Sequence, residues 1–533
     1  MMLDLHRYTD VVFAIAPIFP GYSWIGFALA AAALSAGLTA LLVKIAPARG
    51  WVVLPAENRW NRRVVAQYGG IPILLATCAV VAITPASHPV LSLLFLTLGM
   101  GLLGFVDDVV GLGPKPKLLV ELLLGVLAVH AGIVHPLSGS ILLNAAFTVL
   151  WIVGITNAFN LIDNIDGLAS GIAVIALAQI VVLTGLKLPV GVLALWLMAS
   201  VFGFLVFNFH PAKIFMGDVG SLAIGFFLAC ASVLTASHLT SLGSVLLVPC
   251  LVLFIPIFDM LLVSITRRIN GRAISRGARD HTSHRLVLLG LSERQAVWIL
   301  YIVAFIAGVL AFCWERFWPE WGAGFLTLFL VGASLFWLYL AKLELPEKWL
   351  SESNVLIIRV PAFFLRIAAK LSALLLDGII VILAFYFACL SNLQKQGSFF
   401  LLQFWIAAVA VVVIKLAFLA ASGAYRGRWS LSGLKDTLPF LRAVLFAACF
   451  IFVAWLMLPS HHGLPVSIIL SDAGLTVALL LLTRASTRFF DLILGKLRPL
   501  PAASAPFSSK LSEASPVAQF NDPGFTEEQS RKM

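Results

Sequence analysis

The chain predicts an all-α polytopic membrane protein with about 15 transmembrane helices, eleven in a core and four in a C-terminal module. Three observations lead there. Of its 533 residues, 61% are hydrophobic and 11% charged, with a mean hydropathy of +1.02. Apolar stretches of roughly 17–22 residues recur along it, near the length that spans ~30 Å of hydrocarbon. Basic residues fall almost wholly into alternate connections.

The stretches lie at 23–43, 69–86, 90–106, 118–134, 141–158, 168–186, 188–207, 219–237, 243–265, 295–313 and 321–341, then at 372–391, 399–421, 438–458 and 466–483. The first residues carry Asp4, His6, Arg7 and Asp10, which is not the basic start of a signal peptide. If the first helix runs outside to inside, only Arg7, Lys187, Arg316 and Lys395 lie outside, and Lys415 lies within a helix. The other Lys and Arg then face the cytoplasm, and the N-terminus is outside. The net charge of +11 is therefore topological and does not indicate nucleic acid. The six cysteines sit in or beside apolar stretches without CxxC pairs, as packing residues do. No GxGxxG or GxxxxGK[ST] supports a Rossmann or P-loop nucleotide site.

Residues 1–341 form the core, and 342–371 form a linker with an interfacial amphipathic segment. Residues 372–483 form the second membrane module, and 484–533 a polar Pro/Ser/Ala-rich tail expected to be disordered.

Four acidic groups interrupt the apolar pattern on the predicted cytoplasmic side: Asp107-Asp108, Asp163 with Asp166, Asp218, and Asp259. A carboxylate at bilayer depth costs roughly 2.5–3.5 kcal/mol, so repeated ones call for a function. Asp107 and Asp108 end the third stretch, with Lys115 and Lys117 just beyond. Adjacent acids in an apolar setting share a cation or a proton, unless they merely anchor a helix end at the interface. Asn157, Asn160, Asp163 and Asp166 recur every third residue, offering amides and carboxylates to one helix face; a polar seam is the plainer alternative. The run Asn208…Lys213-Ile-Phe215-Met-Gly-Asp218 links two spans. Asp218 could cap a helix there, or supply a carboxylate to Mg²⁺, which combines one or two carboxylates with phosphate oxygens. After Asp259 comes a loop rich in arginine, with Arg279, His281, His284 and Arg285, whose guanidinium forks match diphosphate oxygens. His281-x-x-His284 lacks a third ligand for zinc nearby.

Together these segments, with Gln67-Tyr-Gly69-Gly70-Ile71 before them, resemble the polyprenyl-phosphate N-acetylhexosamine-1-phosphate transferases, glycosyltransferase family 4. That family includes the N-acetylglucosamine-1-phosphate transferases of envelope polysaccharide synthesis and the phospho-muramoyl-pentapeptide translocase. The motifs occur in the family's order over roughly residues 40–295. The resemblance implies eleven helices around a cytoplasm-facing cleft in a bacterial inner membrane. There a polyprenyl (undecaprenyl) phosphate attacks the β-phosphorus of a UDP-N-acetylhexosamine and UMP departs. It implies Mg²⁺, or Mn²⁺ in its place, on Asp218 with Asp107 and Asp108, the adjacent acids also handling the lipid phosphate or its proton. Lys115 and Lys117 would meet the anionic headgroup, and Asn208 would stand near the metal. Asp163 and Asp166, with Phe215 as a stacking face beside Asn157 and Asn160, would line the uridine side. His281, His284, Arg279 and Arg285 would contact the diphosphate or sugar. The chain departs from the pattern where the family often shows His-x-His-His, at Asn164 in place of a common Gly, and at Asn61 where a His is frequent.

The last four stretches, through Leu376-Asp377 and Gly423-Ala-Tyr425-Arg426-Gly-Arg428-Trp429, resemble the membrane region of polysaccharide-synthesis epimerase/dehydratases without their soluble domain. A scaffold or docking role toward other polysaccharide-synthesis enzymes is the expectation for that module, against a lineage-specific extension; a homodimer is a separate expectation for the protein as a whole. The preferred donor is UDP-N-acetylglucosamine and the rival the muramoyl-pentapeptide donor. An anion transporter or a non-catalytic scaffold is the reading from another class. The acids at helix ends on one side and the absence of an internal repeat disfavour a transporter.

Overall fold

The computed structural model describes residues 23–54, 63–84, 88–239, 242–269, 272, 279–317, 322–341 and 343, and in the C-terminal part 377–378, 380–382, 384–385, 388, 403–422, 434–457 and 468–481. The predicted linker, the tail and the Gly423–Trp429 segment lie almost wholly outside these residues.

The described chain is a helical membrane bundle. Its helices are α1 (Ser23–Ile45), α2 (Gly70–Ala82), α3 (His88–Val110), α4 (Pro114–His130), α5 (Ile141–Ile162), α6 (Leu168–Thr184), α7 (Pro189–Asn208), α8 (Gly217–Ala236), α9 (Leu242–Val252), α10 (Phe254–Ile269), α11 (Thr282–Leu288), α12 (Glu293–Phe317), α13 (Gly322–Ala341), α14 (Gln403–Ala421), α15 (Leu434–Met457) and α16 (Ile468–Leu481). Proline at the first turn starts α4 and α7, where a missing N–H costs nothing. Ser140 caps α5 by accepting the Leu143 N–H. Among the described residues, six helices are long and apolar enough to cross a membrane. The bent pair α9–α10 makes a seventh, and α2, α6 and parts of α13 to α16 are shorter apolar helices. Each predicted stretch holds helix among its described residues, but residues 83–84 and 131–134 lie past the ends of α2 and α4, and fewer than fifteen helices are long and apolar enough to cross.

The predicted span 243–265 is not one rod. It breaks between α9 and α10 with a bend of 80°. Pro256 has no N–H to give the carbonyl of Val252, so that rung of the ladder is missing at the bend, while Leu253 still donates to the Pro249 carbonyl and accepts from the Ile257 N–H.

α8 is the central helix, with 94% of its apolar window buried. Its Gly, Ala and Ser residues let α2, α3, α5, α6 and α9 pack directly on it, the way small residues bring helices together in a membrane. α1 lies on α7, and α12 on α6 and α9.

Short β1 (Val52–Val53) and β2 (Val65–Ala66) pair antiparallel, and Ala66 bridges in parallel to Ile214. That strip fastens the connection between α1 and α2 to the segment that leads into α8. Two-residue strands carry no alternation, so the sequence offers no period to read them by.

α13, placed in the core by the sequence, also faces the C-terminal module. Val331 and Leu335 share an apolar cluster with Ile380, Leu419, Phe440, Val444 and Leu480. Within that module, Lys415 Nζ lies 2.6 Å from Asp472 Oδ1 and 2.6 Å from Thr476 Oγ1, with both charged groups buried.

Candidate active site

The site forms where α3 ends, α4 begins, α5 ends and α8 begins. α3 approaches α8 so closely that a Cβ on Gly104 would overlap the backbone oxygen of Asp218. Glycine at 104 is what lets the two acid-bearing helix ends meet. Gly217, at φ +72°, turns the chain into α8 beside the Asp108 carboxylate.

Lys117 stands between two of the acids. Its Nζ is 2.8 Å from Asp107 Oδ2 and 2.6 Å from Asp218 Oδ2. Asp107 Oδ1 also accepts the Leu112 N–H at 2.7 Å. Asn160 donates to Asp218 Oδ1 at 3.0 Å and to Ser221 Oγ at 2.8 Å, which fixes the other half of that carboxylate. Asp108 turns another way: its Oδ2 accepts the Val219 N–H at 3.1 Å and its Oδ1 the Gln67 amide at 3.2 Å. Asp107 and Asp218 therefore already converge on one positive charge, and hard oxygen donors so arranged fit Mg²⁺ or Mn²⁺. Asp108 joins them as a neighbour whose oxygens are engaged by a helix end and Gln67.

Asp163 follows α5, and its carboxyl is pushed up to about 7, by burial first and then by the charges of Asp218, Asp108 and Asp166. Asp166 Oδ2 accepts the Ala212 N–H at 2.9 Å and meets His210 Nδ1 at 3.1 Å; the same nitrogen is 3.4 Å from Glu293 Oε2. These three donors lie within 4.8 Å of one another and tie together the connections after α5, after α7 and before α12.

The arginine/histidine loop packs onto this rim: Ser283 Oγ donates to Asn164 Oδ1 at 2.7 Å. Asp259, from α10, accepts from His281 Nδ1 at 2.7 Å and from the Thr282 N–H at 2.6 Å. A carboxylate on Nδ1 keeps that atom protonated and leaves Nε2 for proton exchange. His284 is driven down to about 3, by burial and then by the neighbouring His281, and is held neutral. Arg267 grips Asp280 through Nε at 2.8 Å and Nη2 at 2.7 Å. Burial alone would raise the Asp280 carboxyl, but those bonds and the charge of Arg267 hold it below its ordinary value.

Several predicted contact residues face the protein instead. Arg285 is 2% exposed, with its guanidinium on the Asp280 carbonyl, the Leu340 carbonyl at 2.7 Å and Thr266. Asn208 accepts from Ser170 and donates to the Ile214 carbonyl, clamping the turn before α8. Asn157 donates to Glu121 and to the Val153 carbonyl. Lys115 is exposed, and Arg279 and Phe215 are half-buried at the rim. Phe215 is fixed by its backbone, which pairs with Ala66 and Gly69. Gln67, His210, Glu293 and Glu121 belong to this architecture beyond the predicted site residues. Glu121, a lone acid within the predicted span 118–134, carries the clearest signal in the sequence.

A multi-helix membrane protein with acids, a lysine and an arginine/histidine loop gathered at helix ends defines a class of membrane-embedded enzyme acting on anionic substrates. A model of glycosyl transferase family 4 matches residues 90–236. A probable undecaprenyl-phosphate N-acetylglucosaminyl 1-phosphate transferase of Bacillus subtilis is 36% identical over 288 residues, covering 51% of this chain and 80% of that protein. A phospho-N-acetylmuramoyl-pentapeptide-transferase of Staphylococcus aureus (strain MSSA476) is 29% identical over 265 residues, covering 45% of this chain and 80% of that protein. The chain belongs to glycosyl transferase family 4.

Proposed function

We propose that the protein transfers N-acetylglucosamine-1-phosphate from its UDP-sugar to polyprenyl (undecaprenyl) phosphate, in a bacterial inner membrane with the site toward the cytoplasm. The products are a diphosphate-linked lipid sugar and UMP, an initiating step of envelope polysaccharide synthesis. The observation that carries the reading is the convergence of Asp107 and Asp218 on a single cation position beside Asp108. The greater identity of the Bacillus subtilis relative supports the N-acetylglucosamine donor over the muramoyl-pentapeptide one.

Two anionic phosphates must meet for this chemistry, and Mg²⁺ on Asp218 and Asp107 would offset their repulsion and spread charge in the transition state. Asn160 orients Asp218 for that task. Asp107 and Asp108 stand where the lipid phosphate and its proton would arrive. Asp163 and Asp166 line the nucleotide side, and His281, oriented by Asp259, faces the diphosphate. Arg285 and Asn208 act by holding their loops in register. Positioning supplies much of the rate in such a reaction.

The test is UMP release by the purified protein with undecaprenyl phosphate, Mg²⁺ and UDP-N-acetylglucosamine, with Asp218→Asn alongside. Release that needs lipid, metal and Asp218 is the expected result. Substantial Mg²⁺-dependent release by Asp218→Asn would sink the ligand assignment. Release only with the muramoyl-pentapeptide donor would replace the substrate.

A further inference from the structure

Glu121 is an acid that the scheme above leaves without a task. It lies on α4, 1% exposed, four residues after Lys117 and so one turn along the same face. Its Oε2 accepts from Asn157 Nδ2, which stops the side chain from swinging away. Its Oε1 is buried with no hydrogen-bond partner among the described residues. A carboxylate oxygen so placed is expensive, and replacing it by an apolar group would relieve the cost.

Lys117, meanwhile, occupies contested ground. Its ammonium uses the Asp107 and Asp218 oxygens that a divalent cation would need. Each of those oxygens has a second lone pair, but an ammonium and a divalent cation held at contact distance repel. That repulsion favours the ammonium leaving as the cation enters. A lysine this far from bulk water (15% exposed) that moves without meeting a new anion is disfavoured.

We propose that Glu121 is a positioning residue that receives the Lys117 ammonium when a divalent cation takes its place between Asp107 and Asp218. This deepens the metal-dependent reading above and rests on it. No covalent bond changes. Lys117 exchanges two carboxylates for one, the orphan Oε1 gains a donor, and the lysine stays inside the site. Asn157 serves the exchange by holding Glu121 still.

The experiment measures Mn²⁺ binding to the purified full-length protein by electron paramagnetic resonance of the free ion, without substrates. It compares wild type, Glu121→Gln, Lys117→Met and the double variant. Glu121→Gln is expected to weaken Mn²⁺ about ten-fold, the size of one charge-assisted hydrogen bond. Lys117→Met is expected to tighten it by removing the competitor. In the Lys117→Met background Glu121→Gln should change affinity by less than about two-fold, since the coupling is specific to the pair. No effect of Glu121→Gln in the wild-type background would overturn the proposal. An equal loss in both backgrounds would overturn it too, because Glu121 would then act on the ion directly.

If Glu121→Gln does not fold, the structure of the wild-type protein with Mn²⁺ decides. Lys117 on Glu121 supports the exchange, and Lys117 still between Asp107 and Asp218 overturns it. A wild-type protein that binds no Mn²⁺ would instead remove the metal reading itself.

Discussion

Asp108 caps the helix that carries Asp218: its Oδ2 accepts the N–H of Val219, the third residue of α8, at 3.1 Å. Met216, at the N-cap position, has no side-chain bond to offer, so the cap comes from another helix. Asparagine can accept the same hydrogen and alanine cannot. Asp108→Asn should therefore melt close to wild type, while Asp108→Ala should lose about 1 kcal/mol. UMP release should fall in both. Thermal melts of the purified variants check the split, and equal destabilisation by the two would discard the capping role.

Gly104→Ala tests the close approach of α3 and α8. A methyl group there meets backbone rather than a movable side chain, so the helix ends must separate. A displacement near 1 Å in a reacting site can cost on the order of 10²-fold, and UMP release should fall by about that much. Release within two-fold of wild type would show that the acids tolerate the shift.

Asp163 makes stability depend on pH. Its carboxyl rises to about 7 on folding, so the folded chain keeps a proton that the unfolded chain has already released. Stability is undiminished below the unfolded value near ~4 and declines as pH climbs from there through about 7. The thermal midpoint should fall across that window, and Asp163→Asn should flatten the fall. An unchanged slope in the variant would assign the decline to another group.

Asp280→Asn should loosen the arginine/histidine loop. It removes the charge that balances Arg267, which is buried with it. Breaking one side of a buried pair costs roughly 3–5 kcal/mol, and a markedly lower melting temperature is the expected readout.

The helices were legible because continuous apolar stretches of membrane length leave few alternatives, and the acids were legible because each is costly where it stands. The break at Leu253 was harder to see, although Pro249 and Pro256 both lie in the stretch, since a membrane span tolerates proline without having to break. The direction each polar side chain takes was not legible at all. Arg285 and Arg279 look alike in a basic loop, yet Arg285 is spent on backbone carbonyls because a short helix, α11, turns it inward. Asn160 and Asn157 lie on one face of α5, but α8 stands over the first and α4 beside the second. Such choices depend on which neighbour arrives, and spacing along one helix does not encode it.

The Arg285–Leu340 bond sets a limit for anyone who trims the chain. Leu340 is the next-to-last residue of α13, and its carbonyl is one of the anchors of the loop that bears His281. A shortened version stopped at or before residue 339 would sever that anchor and leave Nη1 of a buried guanidinium without this acceptor. The smallest catalytic piece worth expressing therefore ends past α13, and its first diagnostic is whether the loop still resists protease.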